Sequence, residues 1–290
     1  MANTYIGRFA PSPSGPLHFG SLIAALGSFL DARAHQGKWL VRIEDIDPPR
    51  EMPGADKLIL DCLEQHGLNW DDQVLYQSQR FAAYDAVLSK LAKQQQSYPC
   101  GCTRAMIKAA GGVYPGTCRR HPSGEAPFAI RFFNQHPVLA FHDRFSGIIT
   151  PDPHFAAEDF IIHRKDGLYA YQLAVVSDDI YQGITHIVRG ADLLDTSVLQ
   201  LALYQALDQP APSYLHLPVA ATQTGMKLSK QNHAPALDNS RAKQNILAAM
   251  RFLGLTPPSD LSHAEIQEIL AWGVKNWSIH SLPKSQEVII

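Results

Sequence analysis

Arg8-Phe9-Ala10-Pro11-Ser12-Pro13-Ser14-Gly15-Pro16-Leu17-His18-Phe19-Gly20 reads as a strand end, a turn-rich loop and a helix start in immediate succession. Tyr5 to Phe9 has strand propensity, and Pro11, Pro13, Gly15 and Pro16 then interrupt regular structure. Beyond Gly20, the apolar residues Leu22, Ile23, Leu26, Phe29 and Leu30 recur at helical spacing. A strand feeding a helix through such a loop leaves the first backbone N–H groups of the helix free. It also turns the positive end of the helix dipole toward the loop, where a phosphate can sit. His18 lies beside that end. An ordinary surface loop with a satisfied histidine has the same residue types, so the reading needs a second signal.

Gly225-Met226-Lys227-Leu228-Ser229-Lys230 supplies it. A compact ammonium on a flexible stem suits a triphosphate that moves during reaction. Together, Pro16-Leu17-His18-Phe19-Gly20 and Lys227-Leu228-Ser229-Lys230 resemble, in order and separation, the two signature sequences of class I aminoacyl-tRNA synthetases. Four more segments resemble motifs of glutamyl-tRNA synthetase: Arg8 to Pro13, Arg42-Ile43-Glu44-Asp45-Ile46-Asp47, Asp166-Gly167-Leu168-Tyr169-Ala170-Tyr171-Gln172-Leu173-Ala174, and Arg189-Gly190-Ala191-Asp192-Leu193-Leu194.

The resemblance covers residues 5–240 and stops near where those enzymes begin a large helical anticodon-binding part, which implies a truncated paralogue. The implied fold is α/β: a Rossmann-like nucleotide fold of the class I synthetase type, with an inserted zinc-binding module of the acceptor type. A short helical C-terminal part would follow, with no anticodon-binding domain. Residue by residue, the resemblance implies L-glutamate at Arg8, Phe9, Ala10, Pro11, Ser12, Glu44, Tyr171 and Arg189. It implies ATP, with Mg²⁺, at His18, Gly20, Lys227 and Lys230, of which His18 and Lys230 would be catalytic. The backbone near Ile187 to Ala191 would meet adenine. Two departures stand out: Ser21 replaces the second histidine of the first signature, and Leu228 and Gln231 replace two residues of the second.

The implied chemistry is activation of a poor acyl donor. The glutamate carboxylate attacks the α-phosphorus of ATP, giving glutamyl-adenylate and pyrophosphate, a step that needs positioning and charge neutralisation. Activation would proceed without RNA. Without an anticodon domain to identify tRNA, the cleft itself would take an anticodon loop, because single-stranded bases splay out where duplex RNA offers only shape, and the resemblance implies that the loop is that of tRNA(Asp). Glutamate would then pass to queuosine.

Composition narrows the classes. At 290 residues, 46% hydrophobic and 18% charged, the chain can bury a full core as one large domain with a smaller module. A net charge of -2 argues against a protein that coats nucleic acid non-specifically. The N-terminus lacks a basic region followed by an apolar run, and the longest uncharged apolar segment, residues 21–30, is about half a membrane span. These features point to a cytoplasmic protein, and no protein partner is implied. Three of the four cysteines crowd into residues 100–118, the pattern of a metal site in a reducing compartment.

In chain order, the first helix should run to about His35, and Lys38 to Ile43 should be a strand, so strand, helix and strand form a parallel βαβ unit. Ligands collect beyond the carboxyl ends of such strands, which brings Arg8 and Glu44 together to grip a carboxylate and an ammonium. No G-x-G-x-x-G follows the first strand, which argues against a dinucleotide enzyme. Helices should follow near residues 54–66 and 80–94. Residues 98–124 carry too little apolar material to fold without a bound ion, and spacing alone selects Cys100, Cys102, Cys118 and His121 as zinc ligands. The resemblance instead implies Cys100, Cys102, Tyr114 and Cys118.

Residues 127–133 and 138–149 should be antiparallel strands of the insertion, and Asp166-Gly167 should turn a hairpin whose return strand presents Tyr169 and Tyr171 on one face. A strand from Ile184 should end at Arg189, whose guanidinium fits a carboxylate bidentately. A helix should then open at Gly190-Ala191-Asp192 and run to about Leu207. The domain expectation is therefore 1–97 for the first half of the catalytic fold, 98–160 for the zinc module, 161–240 for the second half, and 241–290 for short helices.

Three rivals remain on sequence grounds. One is ordinary glutamylation of a tRNA 3′ end. Another is an adenylate-forming ligase acting on a small amine, which leaves the cysteine segment unexplained. The last is a degenerate synthetase acting as an RNA-binding module, which the presence of His18 and Lys230 disfavours.

Overall fold

The computed structural model describes residues 4–228 and 234–290. β1 (Ile6–Phe9) leads through the proline-rich loop into α1 (Phe19–Ala34), and β2 (Lys38–Ile43) returns parallel to β1, with Ile6 opposite Lys38 and Phe9 opposite Val41. α2 (Ala55–Gln65), β3 (Leu75–Tyr76) and α3 (Phe81–Lys93) follow, β3 lying parallel to β2. Next come β4 (Ser97–Cys100), α4 (Arg104–Ala109), β5 (Ala129–Phe132), β6 (Phe141–Asp143), β7 (Gly147–Ile149), the short α5 (Pro153–Ala156) and β8 (Ile161–His163). α6 (Tyr171–Tyr181) then leads into the second βαβ unit, β9 (His186–Gly190), α7 (Ser197–Ala206) and β10 (Ser213–Leu217). β11 (Val219–Gln223), β12 (Met226–Lys227), α8 (Ala242–Phe252), α9 (Ile266–Asn276) and β13 (Glu287–Ile289) complete the chain.

The two halves of the nucleotide fold meet between β1 and β9, which lie side by side. Thr185 joins them: its amide donates to Ile6 O at 2.9 Å, and its hydroxyl accepts from Ile6 N at 2.8 Å. β10 continues the sheet parallel to β9, from Ser213 opposite His186 to Leu217 opposite Gly190. α1 is buried along most of its length because the sheet covers one side and α8 and α9 the other, where Leu26, Leu30, Met250 and Leu270 share one apolar core. A second core forms around α6 and α7 from Val175, Leu199, Leu203 and the ring of Tyr84.

Residues 98–160 divide between two sheets. β4, β5 and β8 form an antiparallel sheet at the base of the cysteine segment, whereas β6 pairs antiparallel with β7 and runs parallel to β10 through Tyr214 opposite Asp143. Other elements differ locally from expectation. The 166–167 turn does form, with Gly167 N donating to Arg164 O at 3.1 Å, but the return is a single bridge between His163 and Tyr169. Ala170 is the extended N-cap of α6, so Tyr171 is the first residue of a helix and not a strand residue. The helix expected from Gly190 breaks as well: residues 191–193 make one tight turn, and α7 starts only at Ser197.

Candidate active site and metal centre

Burial dictates the first cluster. Arg8, Arg42 and Asp179 are almost completely enclosed, and charges survive enclosure only when paired. Asp179, two turns into α6, accepts Arg8 Nε at 3.2 Å and Arg8 Nη2 at 3.4 Å from the end of β1, and Arg42 Nη1 at 2.7 Å from β2. Arg42 also reaches Glu44 Oε1 at 3.3 Å. Burial alone would raise the Asp179 carboxyl, but Arg42 and Arg8 outweigh it and hold the group below the usual aspartate range. Glu44 goes the other way: burial pushes it up despite Arg42 and Arg8. An enclosed carboxylate whose charge is incompletely offset gains from a cation such as an ammonium.

A cavity of about 840 Å³ opens over Glu44. Its wall includes Ala10, Ser12, Tyr169 and Tyr171. Pro11 positions Glu44 from behind, its carbonyl accepting Glu44 N at 3.0 Å, and Phe9 packs in the core against Trp39. Arg8 and Arg189 stand back from the wall yet act on Tyr171. Desolvation and the Glu44 charge push that hydroxyl up, while Arg189 and Arg8 pull it down. Arg8, Glu44, Tyr171 and Arg189 thus converge, with Arg8 bound by Asp179 instead of open to a ligand.

Arg189 sits at the end of β9, and its guanidinium is held by neutral acceptors: Nη1 donates to Gln200 Oε1 at 2.9 Å, Nη2 to Ser197 Oγ at 2.8 Å, and Nε to His216 Nε2 at 3.1 Å. His216 Nδ1 lies 2.8 Å from Asp143 Oδ2. A carboxylate accepts and a guanidinium donates, so His216 carries its proton on Nδ1 and offers Nε2 as acceptor. Burial holds the ring below its ordinary value, which keeps it in that neutral state. No carboxylate of the described residues lies within ion-pair distance of Arg189. The result is an enclosed cation rigidly presented without an anion, the complement of a side-chain carboxylate.

His18, Gly20 and Lys227 line a second cavity of about 200 Å³ with Gly190, Asp192 and Leu228. His18 is the N-cap of α1, its Nδ1 accepting Ser21 N at 3.3 Å. Gly20 permits this approach, since a Cβ there would stand 3.1 Å from the His18 ring. Lys227 Nζ pairs with Asp192 Oδ2 at 2.5 Å across the cavity. Lys230 lies outside the described residues.

Cys100, Cys102 and Cys118 gather their sulfurs within 4.8 Å of one another. Tyr114 joins them, its hydroxyl 3.6 Å from Cys100 Sγ and accepting Cys118 N at 2.8 Å, and Cys102 and Cys118 sulfurs are 3.6 Å apart. Metal–ligand bonds of about 2.0–2.3 Å in a tetrahedron imply ligand–ligand edges of roughly 3.5–3.8 Å, so these residues fit a zinc ion. His121 is exposed and outside the cluster. Burial would raise the Cys118 thiol, but hydrogen bonds from Ser123 and Gly101 outweigh it and bring it down to about 6, favouring the thiolate a metal needs.

Sequence reasoning missed Asp179, Asp143 and His216. The available signal was charge in an apolar helix: Asp178-Asp179 follows Leu173-Ala174-Val175-Val176 with nowhere solvated to point.

A family model described as "tRNA synthetases class I (E and Q), catalytic domain" matches residues 6–113 and 115–281. The protein named Glutamyl-Q tRNA(Asp) synthetase in Photobacterium profundum is 56% identical over 287 residues, covering 99% of this chain and 92% of its own length. The protein of the same name in Escherichia coli (strain K12) is 56% identical over 281 residues, 97% of this chain and 91% of its own. Among solved structures, the glutamate-tRNA synthetase of Elizabethkingia anophelis superposes with a TM-score of 0.78 at 25% identity, over 98% of this chain and 67% of that one. A glutamate tRNA ligase of Elizabethkingia meningosepticum, in complex with its amino acid, gives the same TM-score over 66% of its length. The chain therefore belongs to the class I tRNA synthetases of the glutamate and glutamine type, a family of ligases.

Proposed function

We propose that the chain activates L-glutamate with ATP and Mg²⁺ to glutamyl-adenylate in the absence of RNA, and transfers the glutamyl group to queuosine in the anticodon loop of tRNA(Asp). The observation that carries this reading is the 54–56% identity to proteins named for that activity, over more than nine tenths of their length. The chemistry of the cavity supports the first half. Glu44 offers an under-compensated anion and Arg189 an unpaired cation, which suits an ammonium and a side-chain carboxylate on one ligand. The same demand disfavours glutamine, because an amide leaves the enclosed guanidinium without an anion. His18, Gly20, Lys227 and Lys230 would serve ATP, with zinc structural at Cys100, Cys102, Tyr114 and Cys118. No helix of the described residues is long and apolar enough to cross a membrane, and the reading places the chain in the cytoplasm with its tRNA substrate.

Ordinary glutamylation of a tRNA 3′ end is the second reading, supported by the fold shared with glutamate-tRNA synthetases. One experiment separates the two. Glutamate-dependent ATP–pyrophosphate exchange is measured without RNA, then labelled glutamate is offered to tRNA(Asp) with and without queuosine, each intact or oxidised at the 3′ end. Exchange without RNA, and label entering queuosine-containing tRNA despite oxidation, is the expected result. Label lost on oxidation would identify an ordinary synthetase, and no exchange would overturn the activation step.

A further inference from the structure

The cysteine segment has an unbalanced charge. Three thiolates and a phenolate around one divalent ion leave a net charge of about two negatives, at a place where Cys100, Tyr114 and Cys118 are buried. An enclosed anion is strongly unfavourable unless a cation touches it. Arg131, on β5 opposite Tyr98 of β4, is itself 2% exposed and touches two of the four ligand residues. Its Nε donates to Cys100 Sγ at 3.3 Å, and its guanidinium carbon lies 3.6 Å from the centre of the Tyr114 ring. Nη1 donates to Asp159 O at 2.5 Å, which fixes the direction of the fork.

Neighbouring cations are engaged elsewhere. Arg119 is bidentate on Asp159, at 2.7 and 3.1 Å, and Lys165 Nζ reaches the Gly101 carbonyl at 2.6 Å. The carboxylate nearest Arg131, Glu158 Oε1, is 3.9 Å away, farther than the Cys100 sulfur, and it accepts Tyr114 N at 3.2 Å.

We propose that Arg131 is a positioning residue for the metal centre. Its Nε orients the Cys100 sulfur, its flat face holds the Tyr114 ring so that the phenol oxygen meets the sulfurs, and its charge offsets the surplus anion of the filled site. The proposal rests on the Cys100, Cys102, Tyr114 and Cys118 reading of that centre, and it deepens it by naming the group that makes an anionic fourth ligand tolerable there. A guanidinium facing an aromatic ring gains further when that ring carries the phenolate charge.

The test is release of zinc from the full-length, zinc-loaded protein to excess colorimetric chelator, in wild type, Arg131→Gln, Arg131→Lys, Tyr114→Phe and the double variant Arg131→Gln/Tyr114→Phe. Loss of an outer partner of a metal ligand costs about 10–100-fold in affinity, so Arg131→Gln should release zinc at least about tenfold faster, with Arg131→Lys between it and wild type. In the Tyr114→Phe background the same change should fall to about threefold or less, because the surplus that Arg131 offsets drops from about two negatives to about one; a pure packing role would give equal factors in both backgrounds. Should Arg131→Gln not fold, Arg131→Lys carries the comparison: faster release with Tyr114 present and a smaller acceleration without it. Wild-type rates in Arg131→Gln, or equal factors in the two backgrounds of a zinc-bearing protein, would overturn the role of Arg131 alone. A wild type that holds no zinc would remove the metal reading with it.

Discussion

On the proposed reading Arg189 decides which amino acid is taken, and its setting makes a sharp prediction. Ser197, Gln200 and His216 fix the guanidinium from three sides without neutralising it. Hydrogen bonds to charged groups contribute roughly 1.5–3 kcal/mol each, and a bidentate carboxylate makes two. Arg189→Ala should therefore lower glutamate-dependent pyrophosphate exchange at least about 100-fold, with the KM for ATP within about threefold of wild type. Equal exchange rates for glutamate and glutamine in the wild type would remove the assigned role. Arg189 itself was legible in the sequence as a guanidinium at a strand end. Its orienting pair, His216 and Asp143, was not, since they come from β10 and β6 and meet only when those strands align.

Among elements, β2 and α1 could be read almost to the residue because their patterns are local: alternating Trp39, Val41 and Ile43, and a helical repeat after a proline-rich start. α6 could not. Its N-cap, Ala170, makes no side-chain cap, and Tyr169 and Tyr171 on either side of it favour strands. The parallel pairing of β6 with β10 joins Asp143 to Tyr214 and has no local signature. α1 also carries a cost hidden from propensity. Gly27 lies mid-helix, where alanine would ordinarily gain about 0.5–1 kcal/mol, but a Cβ there would stand 2.4 Å from Leu217 Cδ1 in the closed core. Overpacking of this kind costs about 1–3 kcal/mol. Gly27→Ala should thus lower the thermal midpoint; a rise would show that Leu217 can yield freely.

Across the whole molecule, one carboxylate ties distant segments together. Asp31 of α1 accepts the Tyr5 hydroxyl at 2.5 Å, Arg144 at 2.5 and 3.1 Å, and Trp277 Nε1 at 2.9 Å. Burial would raise its carboxyl, but Arg144, Tyr5 and Trp277 hold it below the ordinary 3.8. A depressed folded value means that the carboxylate's contribution is complete above 3.8 and is lost as pH falls through the lower folded value. Removing one partner of a buried pair costs about 3–5 kcal/mol, so Asp31→Asn should lose about that much in urea unfolding at pH 7. The gap from wild type should narrow only below pH 3.8. A gap that closes between pH 5 and 7 would assign the stabilisation to another group.

The junction at Thr185 has a consequence for how the chain is made. β1 and β2 are synthesised within the first 43 residues, but the neighbour that covers the other edge of β1 begins at residue 185. At about 5–20 residues per second, the intervening 142 residues take roughly 7–28 s to emerge. Throughout that interval Ile6 presents its amide and carbonyl to the surroundings, next to Trp39 and Val41, with no strand to close against. Long-range pairing of this type is slow and leaves edges open to other chains. The ribosome-bound chain therefore carries an adhesive edge throughout that interval, and Thr185, just before β9, is where that exposure ends.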